Sequence, residues 1–358
     1  MTRVSVIVPL HNKRRTIVRT LSSIQQQTLR DFEVVIVDDG STDGGELLAS
    51  SFADERFGTI AQVNAGPGAA RNAGARVAKS DLLAFLDADD EWMPDFLADM
   101  VALLDESKAA QAATSGYYEY PAGKSSEDLW RSGGLRDGVV ELTGQTSVTE
   151  FLYLLRFMAP WSTLVRREEF MRLNGFHERT RSLYGEDTCL WMKLLTNAPV
   201  VIDLKPRVKF HRESSSLSGN TSGARPVEPF LVDPEEVLSV CPDSLEPLLK
   251  DAIQARALKT ACVLGFWGHW KEAGTIRRRF WDAGALRHRH SIPAVLAGTR
   301  LAPLGGTFGV GPSVFPVRGR PSLPLRTTPR SPRTRPGEAA SHLPKPWHTR
   351  TPSSRLQS

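Results

Sequence analysis

The chain is poor in cysteine. Cys189, Cys241 and Cys262 are far apart and odd in number, which argues for a reducing compartment and against a disulfide framework. No CxxC pair or Cys/His cluster suggests zinc. No apolar run reaches the ~18 residues a membrane span needs, and Met1-Thr2-Arg3 leads straight into a short strand-like run, with no signal peptide in front of it. A cytoplasmic protein is expected, peripheral to a membrane at most. A basic body is missing too. The net charge is +5, but nine Lys/Arg against Glu338 alone fall between Ser313 and Ser358, leaving 36 basic and 39 acidic residues elsewhere. The high pI therefore belongs to a tail, and no nucleic-acid partner is expected for the folded part.

What remains is an ordinary globular composition, 41% hydrophobic and 24% charged. Its pivot is Leu82–Glu91, LLAFLDADDE. The apolar run Leu82–Leu86 reads as a buried strand. It stops at Asp87, Asp89 and Asp90, and three carboxylates at a strand exit repel unless something positive sits among them. Asp87 and Asp89 are two apart, so on an extended backbone they share a face. Such hard oxygen ligands suit Mg²⁺ or Mn²⁺. The plain alternative is a solvated acidic turn with Asp90 or Asp95 capping the next helix.

The preceding segments favour the first reading. Val4–Val8 is a strand closed by Pro9, with His11-Asn12 opening a loop. Ile17, Leu21 and Ile24 form a helical face within Thr16–Gln27. Phe32–Val37 is a second strand ending in Asp38-Asp39-Gly40-Ser41-Thr42-Asp43, followed by a helix through Glu46–Ser51. Thr59–Val63 is a third strand. After the break Gly66-Pro67-Gly68, residues Ala69–Ala78 read as a helix with Arg71 in its first turn, suited to facing an anion. The GxG there is a weak dinucleotide fingerprint, since Arg71 stands where a third glycine belongs. Strands alternating with helices predict an α/β fold with a parallel sheet, whose ligands gather at the carboxyl ends of the strands. Three of the four strands end in polar residues there.

Further on, Pro94–Glu106 reads as a helix, Ala112–Tyr118 as a strand, and 121–138 as an exposed loop. Trp161, after Pro160, suits either a sugar-binding surface or a core. Arg166–Leu173 is helical with Asn174-Gly175 as its C-cap. Glu186 and Asp187 open another helix, where the macrodipole alone would favour them. Val200–Leu204 and Val208–His211 are strand-like, and a lone His211 is usually structural. Pro234–Ala283 carries apolar residues at helical spacing, with basic clusters at Arg277–Arg279 and Arg287–His290. From about Leu304, Pro, Arg, Ser and Thr dominate, and disorder is expected.

Taken together, VSVIVPLHN (Val4–Asn12), EVVIVDDGSTD (Glu33–Asp43), GAARNAGA (Gly68–Ala75), LAFLDADDEW (Leu83–Trp92), Gly175-Phe176, GEDTCLWMKL (Gly185–Leu194) and His211 with Ser216-Leu217-Ser218 resemble the family 2 glycosyltransferases. The resemblance covers Val4 to Ser218. It implies the GT-A nucleotide-sugar-binding fold, with a mixed, mainly parallel sheet. The expected division is a GT-A domain at 1–225, a helical extension at 226–300 and a disordered tail at 301–358. Within the GT-A domain, residues 1–118 are expected to bind the nucleotide and residues 119–225 the acceptor. The implied activity is inverting, metal-dependent transfer from a nucleotide-sugar, usually a UDP-sugar, to a sugar or glycolipid hydroxyl in polysaccharide or glycoconjugate assembly. By position, the resemblance gives Pro9, Asn12, Asp38, Arg71, Asp87 and His211 to the donor. It gives Asp89, with His211, to Mn²⁺ or Mg²⁺ and Asp187 to base catalysis; beside these, Trp161 and Glu186 are expected on the acceptor side. His11 stands where an aromatic is common. No QxxRW follows Glu186-Asp187, which argues against a processive synthase. A nucleotidyltransferase on a related sheet, or a non-catalytic sugar-nucleotide-binding protein, are the rival readings.

Overall fold

The computed structural model describes residues 2–52, 54–214 and 223–281. The Ser216-Leu217-Ser218 loop, the Arg287–His290 cluster and the tail expected to be disordered lie outside them. Along the chain run β1 (Val4–Leu10), α1 (Ile17–Gln25), β2 (Phe32–Asp39), α2 (Gly45–Ser50), β3 (Phe57–Gln62), α3 (Pro67–Val77), β4 (Leu82–Phe85), β5 (Glu91–Trp92) and α4 (Phe96–Glu106). Then come β6 (Ala112–Tyr120), β7 (Lys124–Ser125), α5 (Glu127–Ser132), β8 (Gly138–Val140), α6 (Val148–Phe157), a 3₁₀ turn at Pro160–Ser162, β9 (Thr163–Arg166), α7 (Arg167–Arg172), α8 (Glu186–Asn197) and β10 (Val200–His211). The last described elements are α9 (Pro229–Val232), α10 (Glu235–Leu238), α11 (Glu246–Phe266) and α12 (Trp270–Phe280).

One sheet organises the molecule, in the order β3-β2-β1-β4-β9-β6-β10-β5, with β7 on β6 and β8 on β10. The pairings β3–β2, β2–β1, β1–β4 and β6–β10 are parallel and carry most of the paired residues. β9 runs antiparallel to both neighbours, opposing Leu83 with Val165 and Ala113 with Leu164. The apolar strand residues divide by alternation, as a pleated strand requires. Ile7, Val35, Val37, Leu83 and Phe85 enter one core with residues of α3, α6, α8 and α11. Val6, Val8, Val34, Ile36 and Ala84 enter the other with α1 and α4. Helices on both faces bury the sheet, and the C-terminal helices belong to the first core.

The structure departs from the sequence reading in a few places. β1 continues through Pro9: Leu86 N–H donates to the Ile7 carbonyl at 3.0 Å, after which β4 has ended. By alternation the Pro9 nitrogen faces that vacated side, so its missing N–H costs no ladder bond. Segment 121–138 is not an open loop. It folds as β7 and α5, because Trp130 is buried against Tyr153 and Phe157. The two short strands before His211 are one strand, β10, with a register shift between Asp203 and Val208. There Pro206 cannot donate, and the Asp203 carboxylate takes the Lys205 N–H at 3.0 Å instead.

Candidate functional site

A cavity of about 550 Å³ opens at the carboxyl ends of β1, β2 and β4 and extends toward α6, α8 and α11. Its floor is built from the turn after β4. Asp87 and Asp89 line the cavity, as expected for positions two apart. Asp90 turns the other way, its Oδ1 accepting the His211 N–H at 2.8 Å while its carbonyl accepts from Thr20 Oγ1. Two cations hold the paired carboxylates. Arg71 donates to Asp87 Oδ1 at 2.6 Å, and Lys13 Nζ to Asp89 Oδ2 at 2.6 Å. Burial and the Asp87 charge still raise the Asp89 pKa, with Lys13 opposing. Asp90 stands well above the carboxylate range, from burial and then from Asp89 and Asp87. On this floor the three carboxylates outnumber the two cations that hold them.

Arg71 bridges this floor to α8. It is 4% exposed, donates to Glu186 Oε1 at 3.0 Å, and lies over the Phe176 ring at 5.2 Å. Two glycines make the bridge sterically available. Gly185 takes φ +77° just before α8, a conformation costly for other residues. Gly68, in the first turn of α3, sits so close to His177 that a Cβ would lie 2.3 Å from its carbonyl oxygen. α3 and α8 therefore meet at their N-termini. Asp187 is half-buried on the cavity wall, its Oδ1 accepting the Thr188 N–H at 2.8 Å. Burial raises its pKa while Arg71 opposes. Glu186 is pushed up to about 7, by burial and then by Asp187.

The remaining residues singled out in the sequence are not all brought together. Pro9 and Trp161 line the cavity, Trp161 stacked on Phe210 with ring centroids 5.3 Å apart. Asn12 and Asp38 are not on its wall. Asn12 Oδ1 accepts the Thr42 N–H at 2.8 Å, and Asp38 Oδ1 the Ser41 N–H at 2.9 Å. Asp39 lines the cavity instead, on the face of β2 that carries Val35 and Val37. It is engaged by Gln62 and by the N–H groups of Ala65 and Gly66. His211 is also off the wall: its ring nitrogens face Glu91 at 2.6 Å and Glu213 at 2.8 Å. Lys13 and four arginines on the wall (Arg156, Arg181, Arg225 and Arg256) went unnoticed in the sequence.

The floor suits a hard cation. Asp87 and Asp89 each keep one carboxylate oxygen with no donor from another described residue, and the donor set is all oxygen. A second group, His177, Cys189 and Glu236, brings three possible ligand atoms within 4.8 Å of one another. Both His177 nitrogens are already bonded, to Glu236 at 2.5 Å and Thr180 at 2.8 Å. Burial holds the Cys189 thiol well above its usual pKa, which disfavours the thiolate. This group reads as a clasp between α8 and α10.

The family model for glycosyl transferase family 2 matches residues 5–169. Residues 5–169 belong to glycosyl transferase family 2. An uncharacterised glycosyltransferase of Rickettsia conorii is 33% identical over 194 residues, 54% of this chain and 30% of that protein. The chain thus spans less than a third of that relative's length. The uncharacterised glycosyltransferase EpsJ of Bacillus subtilis is 25% identical over 307 residues, 84% of this chain and 79% of EpsJ. Among solved structures, S. aureus TarS 1-349 in complex with UDP-GlcNAc superposes with TM-score 0.59 at 17% identity, covering 86% of this chain and 92% of that one. At that identity the likeness shows the fold alone, a GT-A-like α/β fold that continues past the family 2 domain. Asp87 and Asp89 lie within that domain; Asp187 lies beyond its matched range. Among the described residues no helix is long and apolar enough to cross a membrane.

Proposed function

We propose that the protein is an inverting, metal-dependent glycosyltransferase that moves a sugar from a UDP-sugar to the hydroxyl of a sugar or glycolipid acceptor, in polysaccharide or glycoconjugate assembly. Residues 1–118 form the nucleotide-binding portion, and the acceptor portion begins after them. One observation carries the reading: Asp87, Asp89, Arg71 and the Glu186-Asp187 pair, from separate parts of the chain, line or floor a single cavity at the strand ends.

The donor lies over Pro9 and Leu10, with its diphosphate toward Lys13, Asp87 and Asp89. Asp87 and Asp89 would hold Mn²⁺ or Mg²⁺, which would offset the charge building on the departing diphosphate. Lys13 and Arg71 add fixed positive charge at the same end. Asp187 takes the proton of the acceptor hydroxyl. The acceptor oxygen then bonds to the anomeric carbon as the bond from that carbon to the diphosphate breaks, and UDP leaves with the electron pair. Arg71 favours the ionised form of Asp187, against the burial that raises its pKa. With one base and no carboxylate nucleophile assigned on the opposite face, a single displacement with inversion follows. Trp161 offers an apolar surface beside the transfer point.

The test separates donor binding from chemistry. Asp89→Ala abolishes turnover together with metal-dependent UDP binding. Asp187→Asn abolishes turnover and leaves UDP binding within about threefold, since it removes a group acting on the acceptor. Transfer at the wild-type rate by Asp187→Asn ends the base assignment. Release of pyrophosphate instead of UDP ends the whole reading.

A further inference from the structure

One wall of the cavity is basic. Arg156 of α6, Arg225 and Arg256 of α11 all line it, with Arg181 before α8. The donor end has its own cations in Lys13 and Arg71. Among the described residues, Arg156, Arg181 and Arg225 make no ion pair. Arg156 lies by the Trp130 ring at 5.9 Å, and Arg225 over the Tyr184 ring at 5.1 Å. Only Arg256 has a carboxylate partner, Glu228, which is 2% exposed. The wall begins beside the proposed base, because Arg256 feels the Asp187 charge as well as that of Glu228. Its charge imbalance is felt by Lys259, three residues along α11. Burial and then Arg256 push that amine down to about 8, with Arg156 and Arg225 adding to the effect and Glu228 opposing it.

We infer that the acceptor is anionic: a phosphate-bearing saccharide or polyol whose hydroxyl reaches Asp187 while its phosphate rests on Arg156, Arg225 and Arg256. This rests on the glycosyltransferase reading and names the acceptor class that reading leaves open. Arginines arriving from three segments suit a tetrahedral oxyanion, which accepts from several directions, better than a planar carboxylate met by one fork. Tyr184, Leu155 and Met158 on the same wall give the carbon skeleton an apolar rest.

The experiment uses the full chain with Mn²⁺ and UDP, and measures by calorimetry the binding of a poly(glycerol phosphate) oligomer against maltotriose. The phosphate oligomer is expected to bind about tenfold or more tightly, with an affinity that falls as salt rises. Arg156 and Arg225 are exposed, so Arg156→Gln/Arg225→Gln should fold normally. It should weaken the phosphate oligomer about tenfold and leave UDP binding unchanged. A third arm carries the same oligomer on a dodecyl tail. Tighter binding of that form assigns a lipid-linked source, equal binding a free polymer, and both support the inference. Maltotriose binding as tightly as the phosphate oligomer, or a double variant with undiminished phosphate binding, overturns it while the donor reading stands. Failure of the wild type to bind UDP overturns both.

Discussion

Replacing Arg71 by methionine keeps the side-chain stem beside Phe176 and removes the charge between Asp87 and Glu186. Both contacts are short, 2.6 and 3.0 Å, and Arg71 is 4% exposed. Taking one partner from a buried pair costs about 3–5 kcal/mol when the other stays charged. Glu186 need not stay charged. Burial and Asp187 already hold it at about 7, against an ordinary 4.5. An acid raised in the folded state binds its proton more tightly there than in the unfolded chain. Its contribution is therefore most favourable below about pH 4.5 and is lost as pH rises toward about 7, a swing of about 3 kcal/mol. Without Arg71 the Glu186 pKa rises further, so the loss continues to higher pH. The cost of Arg71→Met should thus be small near about pH 6, where Glu186 takes a proton and only the half-buried Asp87 contact is lost, about 1 kcal/mol. By about pH 8.5 it should approach the full 3–5 kcal/mol. Urea unfolding of both proteins at the two pH values, with a chelator present, reads the difference directly. A penalty that is constant or shrinks with rising pH would refute this electrostatic account of the bridge.

Three more outcomes follow from the same geometry. Lys13→Met removes the counter-charge on Asp89, so metal-free stability should fall by about 1 kcal/mol and the melting shift on adding Mn²⁺ should exceed that of the wild type. An equal shift means that Lys13 does not neutralise the carboxylate proposed to bind the metal. Gly68→Ala forces α3 away from the His177 carbonyl, 2.3 Å from the new Cβ. It should cost about 1–3 kcal/mol and weaken UDP binding by moving Arg71; unchanged calorimetric UDP affinity would contradict the coupling. His211→Gln should lower stability through the lost Glu91 and Glu213 contacts yet keep Mn²⁺ affinity within about threefold, and a larger loss would return His211 to the metal.

The carboxylate end of the cavity was legible because the strands that reach it carry their own polar termini. A buried run such as Leu82–Leu86 cannot continue into Asp87-Ala88-Asp89, so the strand end and the carboxylate site are one signal. Alternation could have gone one step further. Val35 and Val37 face the core on the α3 side, so Asp39, and not Asp38, is the residue that alternation turns toward the cavity. β9 gave no such signal. Its four residues, Thr-Leu-Val-Arg, are too short for a period, and their extended state is imposed by β4 and β6 on either side. α5 was hidden for a related reason: one tryptophan in a polar segment shows no periodicity, and only contact with Tyr153 and Phe157 makes it core. The basic wall is the extreme case. Arg156, Arg225 and Arg256 each look like a solvated arginine in their own segment, and no local pattern links them. They acquire a common role only because α11 packs beside α6 and brings Arg256 within the field of Asp187. Carboxylates grouped at the end of one buried strand are written locally. A wall shared by two helices and a connecting segment is written only in their packing, so the carboxylate end of this cavity could be read from the sequence and the basic wall could not.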